Sequence, residues 1–75
     1  MNLNEVKLNT QCVIKSITVE DEKTKIRLME LGLTEGTSVK ISKRSVLKKT
    51  LLIIFNSSCF TLKSNLANGI VVEYA

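Results

Sequence analysis

The side chains that could do chemistry in this chain are two cysteines, Cys12 and Cys59, a run of three acids, Glu20, Asp21 and Glu22, scattered serines, and a late cluster of lysines. A serine or cysteine nucleophile needs a base beside it. There is no histidine anywhere, and no signature of a lysine or carboxylate base surrounds any serine. The lone, widely separated cysteines do not match zinc-site spacings either. Cys12 lies in an apolar run and reads as a small hydrophobe, and a Cys12–Cys59 disulfide is disfavoured in a reducing compartment. The acid run falls at the start of a predicted helix. Consecutive positions there do not converge on one ion, so hard cations would visit them only weakly, and capping plus dipole pairing accounts for them. The phosphate-cradling GxxxxGK[ST] pattern is absent, so the chain is not itself a P-loop GTPase. These residues predict no enzyme and call for no cofactor and no metal site.

Charge is distributed unevenly. Residues 1–36 carry five bases and six acids, whereas residues 37–75 carry six bases and one acid. The excess is concentrated in Lys40, Lys43, Arg44, Lys48 and Lys49, a cluster able to meet phosphate or an acidic partner. The plainer reading is a solvated hairpin whose lysines discourage edge aggregation. Binding of nucleic acid through Lys40–Lys49 is the alternative function. Against it, the only aromatic side chains are Phe55, Phe60 and Tyr74, and the first two read as buried, leaving few surfaces on which bases could stack.

The elements that must position these groups can be read from periodicity. A chain of 75 residues has room for one domain, 1–75. Its apolar runs, such as Leu51–Phe55, are far too short to span a bilayer, and the N-terminus has no basic flank followed by an apolar stretch. The expected location is the cytoplasm. Apolar residues at Val6, Leu8, Cys12 and Ile14, then Ile17 and Val19, keep period two with one slip, predicting a strand with a bulge, preceded by a turn at Asn9. Asp21 is the expected N-cap of a helix of two to three turns that ends at Gly32. A turn over Thr34–Gly36, with Gly36 at positive φ, leads to a strand with Val39 and Ile41 on one face. "SVLKKT" joins this strand to "LLIIFN", expected to be central or covered on both faces. A further strand directs Phe60 and Leu62 inward and Cys59, Thr61 and Lys63 outward. Ser64 is the expected cap of one helical turn, and "IVVEY" is the last strand. The fold class is all-β with one short inserted helix. Five short strands joined by tight turns predict a small barrel, because closure removes edges.

With these elements in place, "RLMELGLTEGTSVKI" from Arg27 to Ile41 resembles the RLxxLGhxxGxxhxh signature of FeoA-type proteins. Leu3 and Val6 before Ile14 and Ile17 resemble that family's opening strand. "FTLKSNLANGIVVE" resembles its closing segment, with Leu62, Ala67, Ile70 and Val72 in phase. Four places depart from the pattern: Asn9 and Ser57 stand where glycine is usual, "SVLKKT" replaces a loop with proline and glycine, and Lys63 replaces arginine. The resemblance implies an SH3-like barrel with the helix inserted across it. It also implies a role beside FeoB, a large membrane protein with a cytoplasmic GTP-binding domain that carries Fe(II). Contact with the membrane would then be indirect, through that partner, and self-association is left open. A similar domain occurs fused to metal-dependent repressors, but this chain has no helix-turn-helix segment.

The residues expected to contact a partner are Arg27, Met29 and Leu33, with Lys43, Lys48 and Lys49 as an electrostatic guide. Leu28, Leu31, Gly32 and Gly36 are expected to be structural, with Leu28 and Leu31 facing the barrel together. Met29 lies about 100° around the helix from Leu28 and is expected at the rim. Arg27 is weighed between a partner's carboxylate, pairing with Glu30 or Glu73, and covering apolar surface with its stem.

Overall fold

The computed structural model describes residues 1–45, 47 and 49–75; the expected contact Lys48 lies outside them. Alternating apolar residues build five antiparallel strands: β1 (Cys12–Ile17), β2 (Ser38–Arg44), β3 (Thr50–Phe55), β4 (Ser58–Lys63) and β5 (Ile70–Tyr74). Helix α1 (Glu22–Glu30) is inserted between β1 and β2, and the single turn α2 (Ser64–Ala67) links β4 to β5. The strand order is β4-β3-β2-β1-β5. Strand β2 bends through both halves of the sheet, pairing with β1 only at Cys12–Val39 and Val13–Ser38 before running along β3. The inward residues Cys12, Ile14, Val39, Ile41, Leu51, Ile53, Leu62, Ile70 and Val72 meet in one apolar core.

The slip read in β1 is real: its register on β5 shifts between Ile14 and Ser16. Asn9 sits at φ 61, the left-handed region that asparagine tolerates. The opening segment is corrected. Leu3–Glu5 forms a 3₁₀ turn rather than a strand, because Asn2 caps it in a reciprocal box with Glu5. Leu3 and Val6 still enter the core, and Asn2 bridges Val71, covering part of the β5 edge. Strand β3 is interior in the sheet as expected, yet only Leu51 and Ile53 are buried, so it is not covered on both faces. Phe55 and Phe60 are half-buried rather than buried, packed edge to face with centroids 5.5 Å apart. Ser64 does not cap α2: Lys63 holds the N-cap position, without a side-chain hydrogen bond.

Strand β2 also contains a slip that its sequence pattern does not announce. Its register on β3 shifts between Ile41 and Lys43, leaving Ser42 as the extra residue of a bulge. Strict alternation from Val39 and Ile41 would send Lys43 inward. The bulge instead pairs Lys43 with Leu52 on the outer face and Arg44 with buried Leu51.

Candidate functional site

Asp21 starts α1 by accepting a hydrogen bond from the Lys23 amide at 3.2 Å and one from the Thr24 hydroxyl at 2.7 Å. The far end is a complete Schellman stop. The Leu33 amide donates to the Leu28 carbonyl at 2.9 Å, and the Gly32 amide donates to the Met29 carbonyl at 3.0 Å. Gly32 sits at φ 97, and a Cβ there would lie 3.1 Å from the Phe55 ring, so this position demands glycine twice over. Two residues on, a turn opens at Thr34: the Thr37 amide donates to the Thr34 carbonyl at 3.1 Å, with Gly36 at φ 88 in the third position, as a type II turn requires. The Gly36 amide then donates to the Ile14 carbonyl at 2.8 Å, pinning the corner onto β1.

That corner decides what α1 offers to solvent. Leu28 and Leu33, the two residues joined by the outer hydrogen bond of the Schellman stop, both belong to the core, Leu33 with 0% exposure. Leu33 therefore completes the core and is not a surface for a partner, a correction to its expected role. Leu31 is corrected in the opposite direction. It is 45% exposed, because the helix has already reached its C-cap there and only Leu28 of α1 is buried. Met29, expected at the rim, is 53% exposed, and Ile26 on the crest is 51% exposed. The helix and its C-cap thus show three large apolar side chains to solvent.

The exposed residues do not form a single strip. At 100° per residue, Met29 and Lys25 fall on one flank of Leu28, while Leu31, Thr24 and Arg27 fall on the other. Two grooves reflect this division. Met29 and Lys25 line the first with Ile17, Thr34 and Glu35; its volume is about 360 Å³. Arg27 and Leu31 line the second, of about 390 Å³, with Thr61, Leu62, Lys63 and Leu66. Met29 and Arg27, expected in one contact, therefore face different grooves separated by the helix. Neither Glu30 nor Glu73 pairs with Arg27. Glu73 meets Lys15 instead, at 3.5 Å, the sole ion pair among the described residues.

The basic cluster also divides. Arg44 is half-buried and donates to the carbonyls of Asn4, at 3.0 Å, and Val6, clamping the N-terminal turn onto the barrel. It is a structural tie and not part of a free cationic surface. Sequence phase carried no signal for this role, because strict alternation from Ile41 places Lys43 inward and Arg44 outward. Lys43 and Lys49 are exposed.

Among the described residues no group of three or more histidine, cysteine, aspartate or glutamate side chains is placed to hold a metal ion. Cys12 is a free buried thiol, its pKa raised by burial, with its S–H directed at the Val39 carbonyl 3.4 Å away. Cys59 is free and exposed on β4. No helix among the described residues is long and apolar enough to cross a membrane.

Comparison with known proteins places this geometry. The family model for the FeoA domain matches residues 1–74. A FeoA protein from Chlorobium tepidum, solved by NMR, superposes with a TM-score of 0.91 at 28% identity, over 99% of this chain and 70% of that one. A FeoA from Stenotrophomonas maltophilia superposes with a TM-score of 0.81 at 30% identity, over 97% of this chain and 89% of that one. That protein was crystallised with zinc and is described as a prokaryotic SH3 domain protein and a candidate activating factor for bacterial ferrous iron transport. A FeoA-like protein from Clostridium acetobutylicum shares the fold, with a TM-score of 0.86 at 23% identity, over 99% of this chain and 85% of that one. No curated protein matches the chain. The bent five-stranded sheet with its inserted helix is accordingly an SH3-like barrel.

Proposed function

This chain belongs to the FeoA family, and from that premise we propose that it is a non-catalytic accessory protein of ferrous iron uptake that binds the cytoplasmic GTP-binding region of a FeoB-type transporter through the outer surface of α1. The observation that carries the proposal is the exposure of Ile26 and Met29 on one nine-residue helix and of Leu31 at its C-cap. A small barrel gains nothing by showing three large apolar side chains to water, whereas a partner that embraces the helix buries all three and reaches both grooves. Arg27 in the second groove gives such a partner a cationic fork with no competing ion pair among the described residues. Met29, flexible and polarizable, suits an adaptable contact in the first. The buried Leu28 and Leu33 keep the helix seated while the contact forms.

The test is a titration of isotope-labelled protein with the soluble GTP-binding domain of the transporter from the same organism. Amide shifts should centre on α1 and the turn at Thr34–Gly36. Met29→Glu should weaken binding by about tenfold or more, since burying a methionine side chain is worth roughly 1.5–3 kcal/mol. Saturable binding whose shifts avoid α1, with Met29→Glu indistinguishable from the parent, would remove this surface from the proposal.

A further inference from the structure

The register of the β2–β3–β4 half of the barrel builds a second, chemically different surface. Lys40 pairs with Ile54, which pairs with Cys59; Lys43 pairs with Leu52, which pairs with Thr61; Thr50 pairs with Lys63. All of these alternate with the buried Ile41, Leu51, Ile53 and Leu62, so they share the outer face. Lys43 belongs to it only because the bulge at Ser42 reverses the phase. Between Gly36 and Val72 the sequence contains no aspartate or glutamate. At the end of this face the β2–β3 loop carries Leu47, 73% exposed, the most exposed of the large apolar side chains among the described residues. The base of that loop is pinned: the Ser45 amide donates to the Thr50 carbonyl at 3.0 Å, and the Ser45 hydroxyl accepts from the amides of Lys49 at 2.9 Å and Thr50 at 3.2 Å. Lys49 and Lys63 then flank a hollow shared with Thr50, Ser64 and Asn65.

We propose that this end of the barrel, Leu47 with Lys43, Lys49 and Lys63 around it, docks directly onto an anionic lipid surface. An apolar tip ringed by lysines matches the layering of such a surface, where the headgroups carry negative charge and hydrocarbon lies just beneath. Each lysine within reach of the headgroups strengthens association about fivefold, and β2, β3, β4 and the loops between them contribute no carboxylate to oppose it. The same lysines would attract a nucleic acid, but a solvated phosphate backbone offers an aliphatic tip nothing to bury. No aromatic side chain serves this end either. Phe55 and Phe60 pack edge to face against one another, and the Tyr74 hydroxyl accepts from the Lys7 amide. Lys63 lies between the two surfaces, lining the second groove beside α1 as well as this hollow, whereas Leu47, Lys43 and Lys49 line neither α1 groove.

The chain contains no tryptophan, so Leu47→Trp supplies a single reporter. Vesicles of phosphatidylcholine with about one-third phosphatidylserine should shift its emission to the blue, an effect lost at high salt and absent with phosphatidylcholine alone. The unmodified chain should float with the same anionic vesicles. Lys43→Glu with Lys49→Glu should weaken that association by at least about tenfold, and Leu47→Asp by a comparable factor. Failure of the unmodified chain to float with anionic vesicles overturns the proposal. So does a blue shift of the Leu47→Trp reporter that is equal on neutral vesicles, or a mixed duplex oligonucleotide that binds where anionic vesicles at the same ionic strength do not.

Discussion

The hairpin between β3 and β4 offers the sharpest test of the reasoning about local structure. Phe55 pairs with Ser58, and the two residues between them, Asn56 at φ 50 and Ser57 at φ 64, both occupy positive φ. Two central residues at positive φ define the type I′ turn, whose favoured sequence is Asn-Gly. Asn56 fits the pattern; Ser57 carries a Cβ where glycine would be unstrained. A non-glycine residue in the left-handed region costs roughly 1–2 kcal/mol, and a glycine returns about 0.5–1 kcal/mol through its greater freedom in the unfolded chain. Ser57→Gly should therefore stabilise the protein by about 0.5–1 kcal/mol. At roughly 4–8 °C per kcal/mol for a domain of this size, the melting temperature should rise by about 2–8 °C. Asn56→Gly is the internal control, since asparagine already tolerates the conformation and the substitution should leave stability level or slightly lower. Both variants can be followed by circular dichroism on heating, with urea unfolding to check that the m-value is unchanged. A melting temperature that falls on Ser57→Gly, or that rises more for Asn56→Gly, would refute the strain argument.

Other outcomes follow from the same geometry. A Cβ at Gly36 meets no atom within 4 Å, so Gly36→Val should cost on the order of 1–2 kcal/mol through its backbone conformation, whereas Gly32→Ala adds a tight approach of 3.1 Å to the Phe55 ring and should lower the melting temperature further. Arg44→Met should cost about 1.5–3 kcal/mol and selectively raise hydrogen exchange in the Leu3–Glu5 turn, because two backbone carbonyls lose their charged donor; uniform exchange across the chain would contradict the clamp. A thiol reagent should modify Cys59 quickly and Cys12 only on unfolding, giving one fast equivalent per chain. Burial raises the Cys12 pKa above its ordinary 9.0, so the folded state holds that proton more tightly than the unfolded one. The contribution is complete below pH 9 and is lost as pH rises through the folded value, so stability should fall on the alkaline side, and Cys12→Ala should flatten that slope relative to the parent.

Much of the architecture was legible in the chain because it rests on interactions between near neighbours. The N-cap at Asp21, the stop at Gly32, the turn at Gly36, the left-handed Asn9 and the slip in β1 each depend on a few consecutive residues, whose side chains and φ preferences act wherever the chain goes. The same holds for the inward sets Val39 and Ile41 or Phe60 and Leu62, which period two alone displays. The motif linking Arg27 to Ile41, with its flanks, was sufficient to point to the family that the comparisons then matched over residues 1–74.

The candidate sites were less legible, because exposure is decided by what packs against a residue from elsewhere in the chain. Leu31 and Leu33 are both leucines in one motif, yet the Schellman stop sends Leu33 under the barrel and leaves Leu31 on a groove wall. Lys43 and Arg44 are adjacent cations, and a one-residue bulge against β3 turns one to solvent and the other onto the carbonyls of a turn nearly forty positions away in sequence. By itself the sequence determined the elements, the special backbone positions and the family. The tertiary structure decided which apolar and basic side chains remain for partners, since that choice depends on strand register and helix seating, and these arise only when distant segments share one core.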